Sequence, residues 1–289
     1  MNYQDWEMLA ALFATENITK ASQLLFLSQP TLTSRIQKLE EHYGVQLIMR
    51  KQRGITFTPE GEKLAQHAQK MMREQRKIEE TINNMKSHVA GTLRVGASHF
   101  FALNKMPKIL RLFKQKYPDV EFQVVTGWSS EMHRLILNQD VHISFIKGDY
   151  SWKDNKDLLY EEAICAASPW EFAWSELPAL PRIEYNTDEN MKNLVEDWWY
   201  TNYNRRPNIN IHVNQVETCK EMVINGLGYA LLANLVVRPY PELIVKALHD
   251  EKGRPITRKT WMYYHEDALQ MNVVQAFVRF MRQLDVKAL

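Results

Sequence analysis

The feature that most limits what this chain can become is the stretch from Thr58 to about Val89. Along it Leu64, Ala68, Met71, Gln75, Ile78, Ile82, Met85 and Val89 recur at alternating steps of four and three. That spacing is a heptad seam with one polar interruption, Gln75, of the kind that fixes register between paired helices. Thr58-Pro59 followed by Glu60 and Glu62 marks the start: proline is tolerated in a first helical turn, and acidic residues suit the positive end of the helix dipole. An amphipathic helix packed on its own chain would show part of this pattern. The length of the repeat and its polar flanks favour pairing with a second copy, so a homodimer or homotetramer is expected. The helix divides the chain into regions 1–58, 59–89 and 90–289.

Ahead of it, "DWEMLAALFAT" places Trp6, Leu9, Leu12 and Phe13 at helical spacing, and after the break "ENIT" the segment "KASQLLF" lines Ala21, Leu24 and Leu25 on one face. A second break at Leu27-Ser28 opens a third helix, "SQPTLTSRIQKLEEHY", which stops at Gly44 because glycine tolerates positive φ. "VQLIMRKQRGITFTPEG" then alternates, breaks at Arg53-Gly54 and alternates again, a hairpin signal. Two short helices joined by a tight turn, the second with a polar exposed N-terminus, make a helix-turn-helix that enters the major groove of double-stranded DNA. Ser28 can cap the third helix and Pro30 sits in its first turn, leaving amides and a positive dipole end beside whatever it approaches. Leu32, Ile36 and Leu39 form the buried stripe. Gln29, Thr31, Thr33, Ser34, Arg35 and Lys38 are left to face outward, where glutamine suits adenine, arginine guanine and threonine the thymine methyl. Arg50, Lys51 and Arg53 at the hairpin suit phosphate or minor-groove contact. The basic excess is local: between Lys20 and Arg53 six Lys and Arg face only Glu40 and Glu41, whereas the whole chain carries a formal charge of only +2.

Beyond "SHVAGT", strands alternate with helices: "TLRVGAS", "LNKMPKILRLFKQKYP", "VEFQVVT", "SSEMHRLILNQ", "VHISFIKG", then "NINIHVN", "VETCKEMVIN", "GYALLA" and a final amphipathic "NVVQAFVRFMRQL". Alternation of this kind predicts parallel βαβ units. The tract 165–208, rich in Trp, Tyr and Pro, has no clear period. The region exceeds one simple unit and is expected to form two lobes, about 92–163 with 267–289 and about 164–266. The only cysteines, Cys165 and Cys219, suggest neither a disulfide framework nor a zinc site. Asp5 and Glu7 stand where a secretory signal carries positive charge, and the longest apolar run, "YALLANLVV", is too short for a bilayer; a cytoplasmic protein without membrane association is expected. Nine histidines without metal-ligand spacing, no Gly-x-Ser-x-Gly turn, and a "GLGYA" that lacks a nucleotide-loop continuation point away from an enzyme, a metal or a cofactor.

The segment "ITKASQLLFLSQPTLTSRIQKLEEHYGVQLIMRKQRGITFTPEGE" resembles the N-terminal domain of LysR-type transcriptional regulators. The family's pattern falls on Ala21-Ser22, Leu25, Ser28-Gln29-Pro30, Leu39-Glu40, Gly44, Leu47, Arg50 and Thr58 to Gly61. The resemblance implies an α+β multidomain protein: a winged helix-turn-helix, a coiled-coil linker helix, and a two-lobed α/β effector domain like the periplasmic solute-binding proteins. "VINGLGYALLA" is close to the family's Gly-x-Gly helix exit. Ser22 replaces the usual alanine, Ser34-Arg35 puts the arginine one position late, and His142 stands where the family commonly has aspartate.

Open α/β sheets bind ligands beyond the carboxyl ends of their strands. Those ends are Ser98, His99, Phe100 and Phe101; Thr126, Gly127, Trp128 and Ser129; Lys147; and Asn214, Gln215 and Val216. Ser129 is a candidate helix cap, and Asn214 with Glu217 has capping-box spacing. In the resembling family the effector lies in this cleft, and Ser98 fits the hydroxyl expected there, while Phe100 stands where a Ser or Thr is often found. Free amides with Lys147 and His99 would suit an anionic small molecule with an apolar part; a neutral ligand is the alternative. A redox switch using Cys165 and Cys219, and a solute-binding or enzymatic role, are the competing readings, and RNA polymerase is a further candidate partner.

Overall fold

A computed structural model describes residues 1–84 and 88–289, which fall into two compact units, Met1–Lys86 and Ser87–Leu289. The first unit runs α1 (Tyr3–Thr15), α2 (Ile18–Leu24), α3 (Gln29–Tyr43), β1 (Ile48–Arg50), β2 (Ile55–Phe57) and α4 (Pro59–Asn84). Each start is capped locally. Asn2 accepts from the Asp5 amide, Asn17 from Lys20 and Ser28 from Thr31, while Gly44 at φ 65° closes α3 in the left-handed region. Met8, Leu9, Leu12, Ala21, Leu32, Ile36, Leu39, Leu47, Ile48 and Ile55 make one core under the three helices and the antiparallel β1–β2 hairpin.

Helix α4 changes the meaning of the heptad. Ala65 and Ala68 are fully buried in that same core and Leu64 packs at its edge, so the start of the seam is spent on the chain's own helices. Leu64 and Ala68 are therefore corrected from pairing positions to intrachain core. Met71 and Gln75 are half-buried, with Gln75 donating to Glu79, whereas Ile78 and Ile82 are 57% and 60% exposed. Met85 lies outside the described residues. Val89 is off the helix altogether, packed against a core of the second unit.

The second unit comprises β3 (Gly91–Ser98), α5 (His99–Asn104), α6 (Met106–Lys116), β4 (Val120–Gly127), α7 (Ser129–Leu137), β5 (Ile143–Lys147), β6 (Asn155–Ser168), β7 (Arg182–Tyr185), α8 (Glu189–Asn202), β8 (Ile209–Val213), α9 (Val216–Ile224), β9 (Ala230–Ala233), α10 (Asn234–Val237), β10 (Ile244–Ala247), β11 (Thr257–Tyr264) and α11 (Asn272–Arg282). Its main sheet runs β10-β6-β11-β5-β3-β4, with β9 also on β6, and β7–β8 form a separate parallel pair. β3 is parallel to β4 and β5 as expected, but β11 is antiparallel to both β5 and β6, so the sheet is mixed rather than parallel throughout.

Two main cores divide this unit into lobes. One gathers Leu93, Val95, Ile109, Phe113, Ile143, Phe145, Met262, Tyr264 and Phe277; the other gathers Ile164, Ile183, Trp198, Trp199, Tyr229, Leu231 and Val237. β6 spans both, pairing with β11 through Ala163 and with β9 and β10 from Ile164 onward. β11 belongs to the first core, while Ile256 just before it packs on the second. The return crossing thus falls ahead of Thr257 rather than near 266. Among the described residues no helix is long and apolar enough to cross a membrane.

Candidate functional site

Two sites emerge, one in each unit. In the first, the N-terminus of α3 and the β1–β2 wing face a shared hollow of ≈ 230 Å³ lined by Asn17, Thr19, Gln29, Thr33, Arg50, Lys51 and Gly54. Ser28 Oγ accepts from the Thr31 amide at 3.3 Å and lies 2.8 Å from the Thr31 hydroxyl. Gln29 Nε2 donates to Thr19 Oγ1 at 2.9 Å, which ties the start of α3 to α2. Pro30, Thr31, Ser34 and Lys38 are exposed, and Thr33 is half-buried. Arg35 does not stand free: its guanidinium donates to Gln4 Oε1 at 2.8 Å. Glu40 is not a surface counter-charge either, because one of its carboxylate oxygens accepts from the Leu47 and Ile48 amides at 2.8 and 3.3 Å.

The wing is seated by close backbone contact. Ile55 N–H donates to the Glu16 carbonyl at 2.8 Å, and a Cβ on Gly54 would lie 2.4 Å from that same oxygen. Behind it, Thr58 donates to the Gln46 carbonyl and accepts from the Gly61 amide at 3.0 Å, capping α4. A Cβ on Gly61 would lie 1.9 Å from the Leu47 carbonyl, so only glycine allows this approach. The Thr-x-x-Gly spacing is thus a helix cap and a contact point in one. It leaves Arg50, Lys51 and Arg53 exposed on the wing.

In the second unit a small cleft of ≈ 70 Å³ is lined from both lobes. Of the residues expected there, Ser98, His99, Phe100, Gly127, Trp128, Ser129, Lys147, Gln215 and Val216 line it. Three do not. Phe101 is fully buried, stacked on Phe145 at 4.3 Å between centroids, because α5 begins at His99 and turns it into the first core. Thr126 is exposed on β4, the edge strand. Asn214 is not on the wall but stands behind it, accepting from Nδ2 of the lining residue Asn186 at 3.2 Å. The caps also differ: Ser129 is inside α7 and accepts from the Lys147 amide, the Trp128 amide at that N-terminus donates to Glu131, and α9 is preceded by Gln215, which makes no side-chain cap.

Lys147 is not available as a free cation. Its ammonium lies 2.6 Å from Glu162 and 4.0 Å from the centre of the Phe100 ring. Burial lowers its pKa below the ordinary lysine value, opposed by the Glu162 carboxylate, and the pair is net neutral whichever member holds the proton. Glu162 also accepts from the Leu235 amide at 3.1 Å. The residues that sequence reasoning missed are Tyr185 at the end of β7, Asn186 to Asp188 between β7 and α8, Ala233 at the end of β9, Val236, and Arg258 on β11; all but Ala233 come from tracts without an assigned element. Arg258 is paired with Asp188, which also caps α8 through the Met191 amide at 3.1 Å. This pair joins a strand of the first core to the loop entering a helix of the second. Ser98 Oγ and Arg258 Nε are buried without a hydrogen-bond partner.

Neither thiol has the surroundings of a reactive one. Cys165 and Cys219 are buried and free, their pKa values pushed up by burial to about 11 and about 12. His142 is buried too, its Nδ1 accepting from the Arg94 amide at 3.2 Å. Among the described residues no group of His, Cys, Asp and Glu is placed to hold a metal ion.

Residues 3–62 match the family described as bacterial regulatory helix-turn-helix protein, lysR family, and residues 86–285 match the LysR substrate binding domain. Two relatives from Bacillus subtilis (strain 168) are similar over almost the whole length. The uncharacterized HTH-type transcriptional regulator YraN is 37% identical over 98% of both chains, and the uncharacterized HTH-type transcriptional regulator YkuM is 34% identical, again over 98% of each. Among solved structures, a full-length OxyR variant from Pseudomonas aeruginosa superposes with a TM-score of 0.65 at 18% identity, covering 99% of both chains. Full-length CbnR in complex with its target DNA gives 0.65 at 16% identity, covering 98% of this chain and 99% of that one. The last two likenesses speak for the fold alone. With one family description on each side of the linker helix and relatives alike from end to end, the chain belongs to the LysR family of transcriptional regulators.

Proposed function

We propose that this regulator works in the cytoplasm as a dimer or tetramer, reads DNA with α3 and the wing, and changes its DNA arrangement when a small molecule occupies the cleft of the second unit. The observation that carries the effector reading is a pair of polar atoms, Ser98 Oγ and Arg258 Nε, buried without partners in side chains of residues that line the cleft. Buried donors are normally satisfied, and a bound molecule would satisfy these. In this reading Ser28, Gln29, Pro30, Thr31, Thr33, Ser34, Arg35 and Lys38 serve the major groove, with Arg50, Lys51 and Arg53 on the backbone or minor groove. Ile78 and Ile82, apolar and exposed late on α4, would meet a second copy.

Occupancy would act by shifting the balance between two arrangements that bind the effector differently. The Arg258–Asp188 pair, held by residues of different lobes, is the element placed to feel it. RNA polymerase is a further partner in this scheme. A thiol switch is less well supported, since burial disfavours the thiolate at both Cys165 and Cys219. The test is retention of the chain's own upstream DNA at rising salt, with and without a metabolite panel. A salt-sensitive complex whose footprint changes with one metabolite is expected; absence of salt-sensitive retention would refute the reading.

A further inference from the structure

We propose that the cleft takes a small zwitterion of amino-acid size, carrying one carboxylate and one ammonium, rather than a simple anion; this rests on the reading of the cleft as the effector site. The first ground is charge. Both cations on the wall are already neutralised, Lys147 by Glu162 at 2.6 Å and Arg258 by Asp188. The charged residue left over is Glu217, in the first turn of α9, which has no ion-pair partner among the described residues. An anion entering alone would meet this surplus negative charge with neither Lys147 nor Arg258 unpaired to offset it; His99, also on the wall, sits edge-on to Trp128 at 5.6 Å between ring centroids.

The second ground is hydrogen bonding. Ser98 and Arg258, 6% and 7% exposed, line the cleft with Ser98 Oγ and Arg258 Nε unpartnered, and α9 opens on it without a side-chain cap. These groups donate and need an acceptor such as a carboxylate. Glu217 accepts and needs a donor such as an ammonium. A single molecule bearing both groups answers both needs and adds no net charge.

The third ground is size. At ≈ 70 Å³ the cleft is far smaller than the pockets of about 300 to 1,000 Å³ that hold drug-sized ligands, so it suits a ligand of few heavy atoms. Val216, Ala233 and Val236 give it an apolar side for a short aliphatic group.

The test is isothermal titration calorimetry of the full-length protein with L-alanine and its two half-molecules, propionate, which lacks the ammonium, and ethylamine, which lacks the carboxylate. L-alanine should bind at least tenfold more tightly than either. Glu217→Gln should weaken L-alanine at least tenfold while improving propionate, and Ser98→Ala should weaken both carboxylates alike. Propionate binding the native chain as well as L-alanine does, an unchanged ratio in Glu217→Gln, or no L-alanine binding at all would each overturn the zwitterion. A metabolite screen repeated on Ala233→Trp, with folding of the second unit checked by hydrogen exchange of its peptides, separates that failure from failure of the cleft itself. Ligands of another class lost in Ala233→Trp would sink only the zwitterion. Ligands that bind both chains equally would sink the cleft as effector site.

Discussion

Replacing Gly61 by alanine should be among the most damaging single-methyl changes in the DNA-reading unit. The added Cβ would lie 1.9 Å from the Leu47 carbonyl oxygen and 2.7 Å from its carbon, both backbone atoms that cannot rotate away. Restoring an ordinary contact of about 3.4 Å means parting α4 from the start of the wing by roughly 1.5 Å. That movement breaks hydrogen bonds now made there: Thr58 N–H to the Leu47 carbonyl at 3.0 Å and the Thr58 hydroxyl to Leu47 at 3.2 Å. Two such bonds contribute about 2 kcal/mol, and overpacking adds about 1 to 3. Alanine's better helix propensity returns up to about 1 kcal/mol, leaving a net loss of about 2 to 4. The matched control is Gly44→Ala: φ is 65° but nothing lies within 4 Å, so only left-handed strain of about 1 to 2 kcal/mol applies. Hydrogen exchange of peptides from residues 1–84 reads this unit directly, and a loss of about 3 kcal/mol is about two decades in opening equilibrium. DNA retention should fall in parallel. Should Gly61→Ala exchange no faster than Gly44→Ala, the claim that this close approach seats the wing is wrong.

Three further outcomes follow from the same geometry. Lys147→Met should destabilise the second unit by about 3 to 5 kcal/mol in urea unfolding, because it strands a carboxylate whose side chain is 1% exposed, whereas Lys147→Met with Glu162→Leu should recover most of that; equal losses would show that the pair is not coupled. Arg35→Ala should relax base preference in competition binding by about 1 to 3 kcal/mol at one position, and Lys51→Ala should weaken all sequences alike and lower the salt slope by about one; the opposite pattern would reverse the roles. The thiols should resist alkylation near neutral pH until the chain is unfolded. Their folded pKa values are raised above the ordinary value of 9.0, so the stability they add is intact below about pH 9 and is lost as pH rises through about 11 to 12. Rapid labelling of Cys165 or Cys219 in the native chain, read by mass spectrometry, would contradict this.

The helix-turn-helix was legible because its signals are local. Ser28 and Pro30 set the entry of α3, Leu32, Ile36 and Leu39 its buried side, and Gly44 its exit, all within one run of neighbours. The heptad was legible as a period but not as a partner. Spacing alone cannot distinguish a seam filled by a second copy from one filled by the chain's own helices, and at Leu64 and Ala68 the latter holds. The main sheet's antiparallel strands were missed for a related reason. β6 and β11 are long-range partners, and tracts such as "NKDLLYEEAICAAS" carry no signal of where they cross from one lobe to the other.

The cleft divides in the same way. Strand ends pointed to Ser98, His99, Phe100, Gly127, Trp128 and Lys147, since the βα rhythm places such ends on one side of a sheet. Whether Lys147 is a free charge could not be read there, because its partner Glu162 is fifteen residues away on another strand. Arg258 and Asp188, seventy residues apart, meet only when β11 and the start of α8 are brought together by separate cores. The sequence by itself determined the local elements and the family of fold, because caps, turns and apolar periods act between near neighbours. Only the tertiary structure decided which charges are spent on each other and which polar groups are left for a ligand, because that depends on pairs set side by side by the packing of two lobes.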